Sequence, residues 1–274
     1  MDVEALLRLI ETLRARHPGL VVGAAPHSLR AVTPESLRRL VESCADGPLH
    51  IHAAEQEKEV ADCLAWSGRR PVRWLLDEVG LGERWCLIHC THLDDGEVRD
   101  LAASGAVAGL CPVTEANLGD GIFKGVDYLG QSGRFGVGSD SHIRIDVADE
   151  LRSLEYSQRL RDRRRNRLAA PGSSVGRTLL DKALAGGAQA LAQNMGAIAV
   201  GRRADIVTLD PHHPALVGRR GDALIDGWLF AARNAPVETV RVGGRLVVEG
   251  GRHVAGEAIL RRFERTMRAL LADA

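Results

Sequence analysis

The segment His50-Ile51-His52-Ala53-Ala54-Glu55 is the densest concentration of chemically capable side chains in the sequence. On an extended strand, residues two apart face the same side, so both imidazoles point into one space. Imidazole is a good zinc ligand, and a carboxylate just past the strand end can shuttle protons beside a metal. His50 reads as a packed, hydrogen-bonded core residue, and His52 with Glu55 as the functional pair. Ile88-His89-Cys90-Thr91-His92 offers two more imidazoles. His89 falls at a strand terminus, where it can polarise a substrate, whereas His92 reads as structural, capping the helix that Asp94 begins. Gly136-Val137-Gly138-Ser139-Asp140-Ser141 carries a strand into an aspartate. Alone, Asp-Ser is ordinary turn chemistry. Joined to His52 and His89 on successive strands, Asp140 can both ligate a metal and accept a proton from its bound water. Pro26-His27-Ser28-Leu29-Arg30 adds a histidine and an arginine after an earlier strand. Arginine grips carboxylates with a two-pronged geometry that lysine cannot match, although one arginine among many is as readily a surface residue.

These residues need elements to hold them. An apolar stripe at Leu6, Leu7, Leu9, Ile10 and Leu13 predicts an opening helix stopped by His17-Pro18-Gly19. Short apolar runs at 20–25, 49–52, 85–89, 106–110 and 135–138 then predict five strands. Helices are expected between them at Thr33-Pro34-Glu35 onward, around 55–67, 72–79 and 94–103. Continuous apolar runs of this kind suit a buried parallel sheet. His27, His52, Glu55, His89 and Asp140 all follow directly on strands, and strand C-termini form the active face of a parallel α/β barrel and of a doubly wound sheet alike. Long helices are expected at 147–168 and 173–193. After Met195, short strands at 198–200, 205–209, 237–242 and 245–248, with glycine turns at Gly243-Gly244 and Gly250-Gly251, predict a small β module. A helix over 257–271 closes the chain.

Composition narrows the options. With 274 residues, 45% of them hydrophobic, the chain can bury the core of one large domain or one with a small appendage. Thirty-six basic residues balance thirty-six acidic ones, which argues against general nucleic-acid binding, where a basic excess is usual. The run Arg159 to Arg167, with Glu150, Glu155 and Asp162 nearby, reads as a solvated helix face. Five cysteines at irregular spacings, with no CxxC pair, speak against a disulfide scaffold or zinc knuckle and for a reducing cytoplasm. No apolar run approaches the roughly 20 residues needed to span a bilayer, and Asp2 and Glu4 are unlike the start of a secretory signal.

With these residues in hand, the chain resembles the amidohydrolase superfamily and, within it, the formimidoylglutamate deiminase branch. The matching text is Gly23-Ala24-Ala25-Pro26-His27-Ser28-Leu29-Arg30, His50-Ile51-His52-Ala53-Ala54-Glu55-Gln56, Leu87-Ile88-His89-Cys90-Thr91-His92-Leu93 and Gly138-Ser139-Asp140-Ser141. Gly201-Arg202-Arg203-Ala204-Asp205-Ile206-Val207 is similar to the family's return into its β-sandwich. The resemblance implies zinc, held by His52 and Asp140, with Glu55 passing protons to the leaving nitrogen. It implies that His89 orients the substrate and that Asp140 takes the proton of the attacking water. His27 and Arg30 are implied to hold the carboxylates of a small dicarboxylic substrate. The implied reaction hydrolyses N-formimino-L-glutamate to N-formyl-L-glutamate and ammonia, in histidine degradation. It involves no nucleic acid and no membrane, and homodimer formation stays open. A nitrogen and oxygen donor set of this kind also accepts iron or manganese.

The family has a further His-x-His on its first strand, and His50-Ile51-His52 is not that motif, because too few strands separate it from Asp140. An eight-stranded barrel takes about 250 residues, more than precede the β module here. The expected architecture is therefore α/β: an incomplete (β/α)8 TIM-type barrel, strands 4 to 8, over residues 1–195. A β-sandwich remnant over 196–256 and a C-terminal helix over 257–274 follow it. Relative to the family the chain is expected to be N-terminally truncated, to lack two of four protein ligands for zinc, and to be impaired as an enzyme. The alternatives are an amidohydrolase deaminase acting on an aminopurine-type ring and a non-catalytic remnant. His27 and Arg30 favour the dicarboxylic substrate.

Overall fold

Helix α1 (Val3–Arg16) starts where the Asp2 carboxylate accepts a hydrogen bond from Ala5 N at 2.7 Å. Helix α2 (Pro34–Ser43) starts at Thr33, whose hydroxyl accepts from Ser36 N at 3.2 Å, with Pro34 in the first turn. Both are ordinary N-caps, supplying an acceptor to a backbone donor that has no partner within the helix. The structure is a computed structural model that describes residues 2–44, 46–141 and 144–272. The last two residues of the expected 257–274 segment thus lie outside the described residues.

Beyond α2 the chain alternates: β1 (Leu49–Ala53), α3 (Glu57–Ser67), α4 (Pro71–Val79), β2 (Trp85–His89), α5 (Asp95–Ser104), β3 (Val107–Leu110), α6 (Pro112–Leu118), α7 (Gly125–Gly130) and β4 (Arg134–Val137). The four strands form one parallel sheet in the order β1-β2-β3-β4. Leu49 pairs with Trp85, Cys86 with Val107, and Val107 with Arg134. In β1, Leu49, Ile51 and Ala53 are buried while His50 and His52 are half-buried, the period of two expected of a strand with unlike faces. Leu49, Ile51, Leu87, Leu110 and Phe135 join Leu37, Leu75, Leu101, Leu151 and Leu179 from the helices in one core.

The sheet has four strands where five are predicted. Residues 20–25 do not form a strand; this stretch and the turn after it meet β1 only through isolated parallel bridges, Ala24 to Leu49 and Ser28 to His52. Pro26, between the two bridges, has no N–H to give a ladder. The predicted strand at 198–200 is also absent: Ile198 and Val200 lie almost fully exposed. Helix α8 (Val147–Asp162) ends six residues early, at Arg163 with φ +55°. There the buried Glu155 carboxylate takes hydrogen bonds from Arg167 N and Leu168 N and folds the chain back. In the basic run Arg159 pairs with Glu155, and both Arg161 and Arg167 pair with Asp162.

Helix α9 (Val175–Ala190) packs on β4 at very close range. The remainder is β5 (Ile206–Leu209), α10 (Asp222–Asp226), a π-helical turn (Gly227–Ala231), β6 (Val237–Val242), β7 (Arg245–Glu249), β8 (Arg252–His253) and α11 (Gly256–Leu270). Strands β5-β6-β7-β8 make an antiparallel sheet. Gly243-Gly244 joins β6 to β7 with φ +56° and +82°, the double left-handed turn that favours glycine. No residue of this sheet or of α11 is buried, and Ile259, Leu260 and Phe263 are more than half exposed. No helix among the described residues is long and apolar enough to cross a membrane.

The α9–β4 contact is made by glycines. A Cβ on Gly186 would stand 1.9 Å from Phe135 O, whereas one on Gly187 meets nothing within 4 Å. Gly186→Ala is therefore expected to destabilise the fold by at least about 1–3 kcal/mol, the overpacking range. Gly187→Ala is expected to stabilise it by about 0.5–1 kcal/mol through helix propensity. Urea denaturation of both variants checks this, and equal midpoints would count against so close an approach of helix and strand.

Candidate active site

Parallel pairing puts the C-terminal ends of β1 to β4 along one edge of the sheet, and the chain leaves three of them in an unusual conformation. Ala54 after β1, His89 and Cys90 at the end of β2, and Asp140 after β4 have φ of +54°, +74°, +54° and +38°. Side chains in this left-handed region are held there by their surroundings at some energetic expense, and such residues cluster at functional sites.

The six residues singled out from the sequence fall in one connected group. The His27 ring stacks on His52, centroids 4.8 Å apart, and His52 faces His89 at 5.5 Å. Arg30 Nη2 lies 3.3 Å from Glu55 Oε2 and 4.0 Å from the buried Glu59. The other oxygen of Glu55 is 3.7 Å from His89 Nε2. Asp140, on the open side, joins His89 and Cys111 in a set whose ligand-capable atoms all lie within 4.8 Å of one another. His52 stands outside that set, across the His89 ring. His50 donates to Ala190 O at 2.8 Å and is structural. His92 donates to Asp120 O at 2.8 Å, and the cap of α5 is Asp94 itself, in a reciprocal capping box with Glu97.

The hydrogen-bond partner of His52 fixes its tautomer. His52 Nδ1 lies 2.7 Å from His27 O, and a carbonyl can only accept, so Nδ1 carries the proton and Nε2 keeps its lone pair. That is the arrangement a metal-ligating imidazole needs. Imidazole nitrogen and carboxylate oxygen are donor types that suit zinc, and the ligand-capable atoms brought within 4.8 Å of one another are those of His89, Cys111 and Asp140. His89 Nδ1 faces Glu115 Oε1 at 3.3 Å. Burial disfavours the charged form of His89, but the Glu115 hydrogen bond and the negative charges of Glu115, Glu55 and Asp140 outweigh it, and the pKa is raised. Burial, reinforced by the nearby carboxylates, pushes the Cys111 thiol upward, so it stays protonated.

Four contributors were not read from the sequence. Glu59 takes hydrogen bonds from Ala54 N and Glu55 N, both 2.9 Å, and so sets the backbone that carries Glu55. Cys111 sits among the ligand-capable atoms, and Glu115 and Glu150 gather at the turn after β3. There Cys111 N donates to Glu115 at 3.0 Å and Val113 N to Glu150 at 2.9 Å. The signal for Glu59 and Glu115 was a glutamate within the first turn of a helix that follows a strand. Pro112, an N1 proline, marks the start of the second. Nothing local marks Glu150.

Glu150 is buried, and one of its oxygens has no hydrogen-bond partner. Burial raises its pKa to about 7, against the Val113 bond and with the charges of Glu115, Asp149 and Asp140 adding to the rise. A carboxyl whose folded pKa exceeds its unfolded one holds its proton longer in the native state. Its effect is thus neutral below the unfolded value near 4.5, and stability falls as pH rises from there through 7. Glu150→Gln keeps the Val113 bond and removes the charge. In the metal-free protein it is expected to raise stability by up to about 3 kcal/mol at pH 8 and hardly at all at pH 4. Thermal melts across that range check the sign, and an unchanged difference at the two ends would refute it.

Residues 2–247 match the Amidohydrolase family. The formimidoylglutamate deiminase of Pseudomonas aeruginosa is 54% identical over 272 residues, covering 98% of this chain and 60% of that protein. The crystal structure of an amidohydrolase from Brucella melitensis superposes with a TM-score of 0.93 at 50% identity, over 99% of this chain and 60% of that one. An adenosine deaminase from Xanthomonas campestris with bound zinc shares the fold, with a TM-score of 0.82 at 22% identity over 96% of this chain and 61% of its own. The chain thus spans about 60% of the length of these relatives. With an α/β fold shared with both solved structures and a family match that takes in every residue of the site, this chain belongs to the amidohydrolase family.

Proposed function

We propose that this chain belongs to a deiminase that hydrolyses N-formimino-L-glutamate to N-formyl-L-glutamate and ammonia. The observation that carries the proposal is the 54% identity to a formimidoylglutamate deiminase across 98% of the chain. In this reading the bridged segment at Ala24 and strands β1 to β4 correspond to strands 4 to 8 of a (β/α)8 barrel. The antiparallel sheet belongs to a β-sandwich, and two further metal ligands come from the part of the relative's length outside the match. His52 and Asp140 are the ligands this chain contributes.

Zinc, when bound, supplies Lewis acidity and lowers the pKa of water towards neutrality. The protein's own groups do the rest. Asp140 accepts a proton from the water that attacks the formimino carbon. Glu55 delivers a proton to the amidine nitrogen and takes back the proton of the new hydroxyl as the C–O bond becomes the formyl carbonyl, while the proton held by Asp140 passes to the departing nitrogen; the C–N bond breaks and ammonia leaves. His89, fixed on Glu115, orients the substrate for attack. Arg30 and His27 hold the glutamate carboxylates. Arg30 rests on Glu55 in this structure, so a substrate carboxylate that draws it away also leaves Glu55 free to face the amidine.

Ammonia release tests the proposal, measured with zinc present on the chain alone and with the remaining portion of the Pseudomonas relative supplied. N-formimino-L-glutamate is the expected substrate. Arg30→Met is expected to raise KM about 10- to 100-fold, the effect of losing hydrogen bonds between charged groups. Ammonia from guanine but not from N-formimino-L-glutamate would transfer the assignment to an aminopurine deaminase. Release from neither, in both formats, would withdraw it.

A further inference from the structure

Glu115 is 4% exposed, and among the described residues no lysine or arginine pairs with it. A buried carboxylate without donors carries a large desolvation penalty, so its ionised form depends on the hydrogen bonds it receives. Two are at hand, both to Oε1: Cys111 N–H at 3.0 Å and His89 Nδ1 at 3.3 Å. The Cys111 bond pins the carboxylate to the turn between β3 and α6, so its position is set by backbone. The other side of the His89 ring presents Nε2 to Glu55.

We infer that Glu115 is a positioning residue: it holds His89 in the tautomer protonated at Nδ1, so that Nε2 faces Glu55 and the assembled site. A neutral imidazole donates through one nitrogen and accepts through the other, and the partner of the first decides the role of the second. His89 is the last residue of β2, paired with Ala53 and in a left-handed backbone conformation, and backbone pairing does not choose which ring nitrogen carries the proton. Glu115 performs that task from the next strand's turn. The further carboxylate at this turn, Glu150, bonds Val113 N and not His89, so the orientation depends on Glu115 alone among the acids of this turn. Its consequence for the reaction rests on the deiminase reading above; the tautomer itself does not.

The test is long-range 1H–15N NMR of the metal-free protein labelled in histidine, at a pH that leaves the imidazoles neutral, with His89→Gln assigning the signal. In the unsubstituted chain His89 is expected to show a protonated Nδ1 and an unprotonated Nε2. Glu115→Leu is expected to abolish that pattern, and Glu115→Gln, which keeps an acceptor oxygen, to restore it. A protonated Nε2 in the unsubstituted chain overturns the inference, as does an unchanged pattern in Glu115→Leu. If Glu115→Leu does not fold, the unsubstituted spectrum and Glu115→Gln still decide. A failed ammonia assay beside a protonated Nδ1 would remove the deiminase reading and leave the positioning role in place.

Discussion

Parallel strand pairing is the constraint on which this site depends. Strands that run the same way end on the same edge, and four of them in register put residues as distant in sequence as His52 and Asp140 along that one edge, with His89 between them in contact with both groups. The strand ends alone do not aim the side chains. Left-handed residues at Ala54, His89, Cys90 and Asp140 turn the chain sharply at that edge, and buried carboxylates then receive the backbone N–H groups that the turns leave free. Glu59 does this after β1 and Glu115 after β3. The scaffold is a sheet, and the alignment is done by acids.

Charge at the site is consequently unbalanced. Glu55, Glu59, Glu115, Asp140 and Glu150 converge on a region where Arg30 is the cation paired with Glu55 and Glu59. Burial raises the pKa of Glu150 and the neighbouring carboxylates add to the rise, while for His89 the carboxylates raise it against the effect of burial. A surplus of negative charge is an environment that a divalent cation, or a protonated amidine, relieves.

Much of this was legible in the sequence because strand ends are. His27, His52, His89 and Asp140 each follow a short apolar run, and a parallel sheet puts such residues together. What escaped lies in relations between segments. Arg30 and Glu55 are 25 residues apart and meet only because Ser28 bridges to His52. Glu115 was missed because Pro112–Leu118 is a helix of two turns with no apolar periodicity to announce it. The stretch at 20–25 is apolar enough for a strand, but the proline after it prevents a ladder. Ile198 and Val200 show the opposite error: a β-like composition says nothing unless another strand is there to receive it.

The alternation in β1 ties two properties of the molecule together. Leu49, Ile51 and Ala53 face the core while His50 and His52 face the other way. A shift of this strand by one residue against Trp85 to His89 would therefore drive two imidazoles into the packed interior and strip the site at one stroke. Any pressure that keeps the leucine and isoleucine inside also keeps His52 in place, so the correct placement of this imidazole comes at no separate expense once the interior is packed.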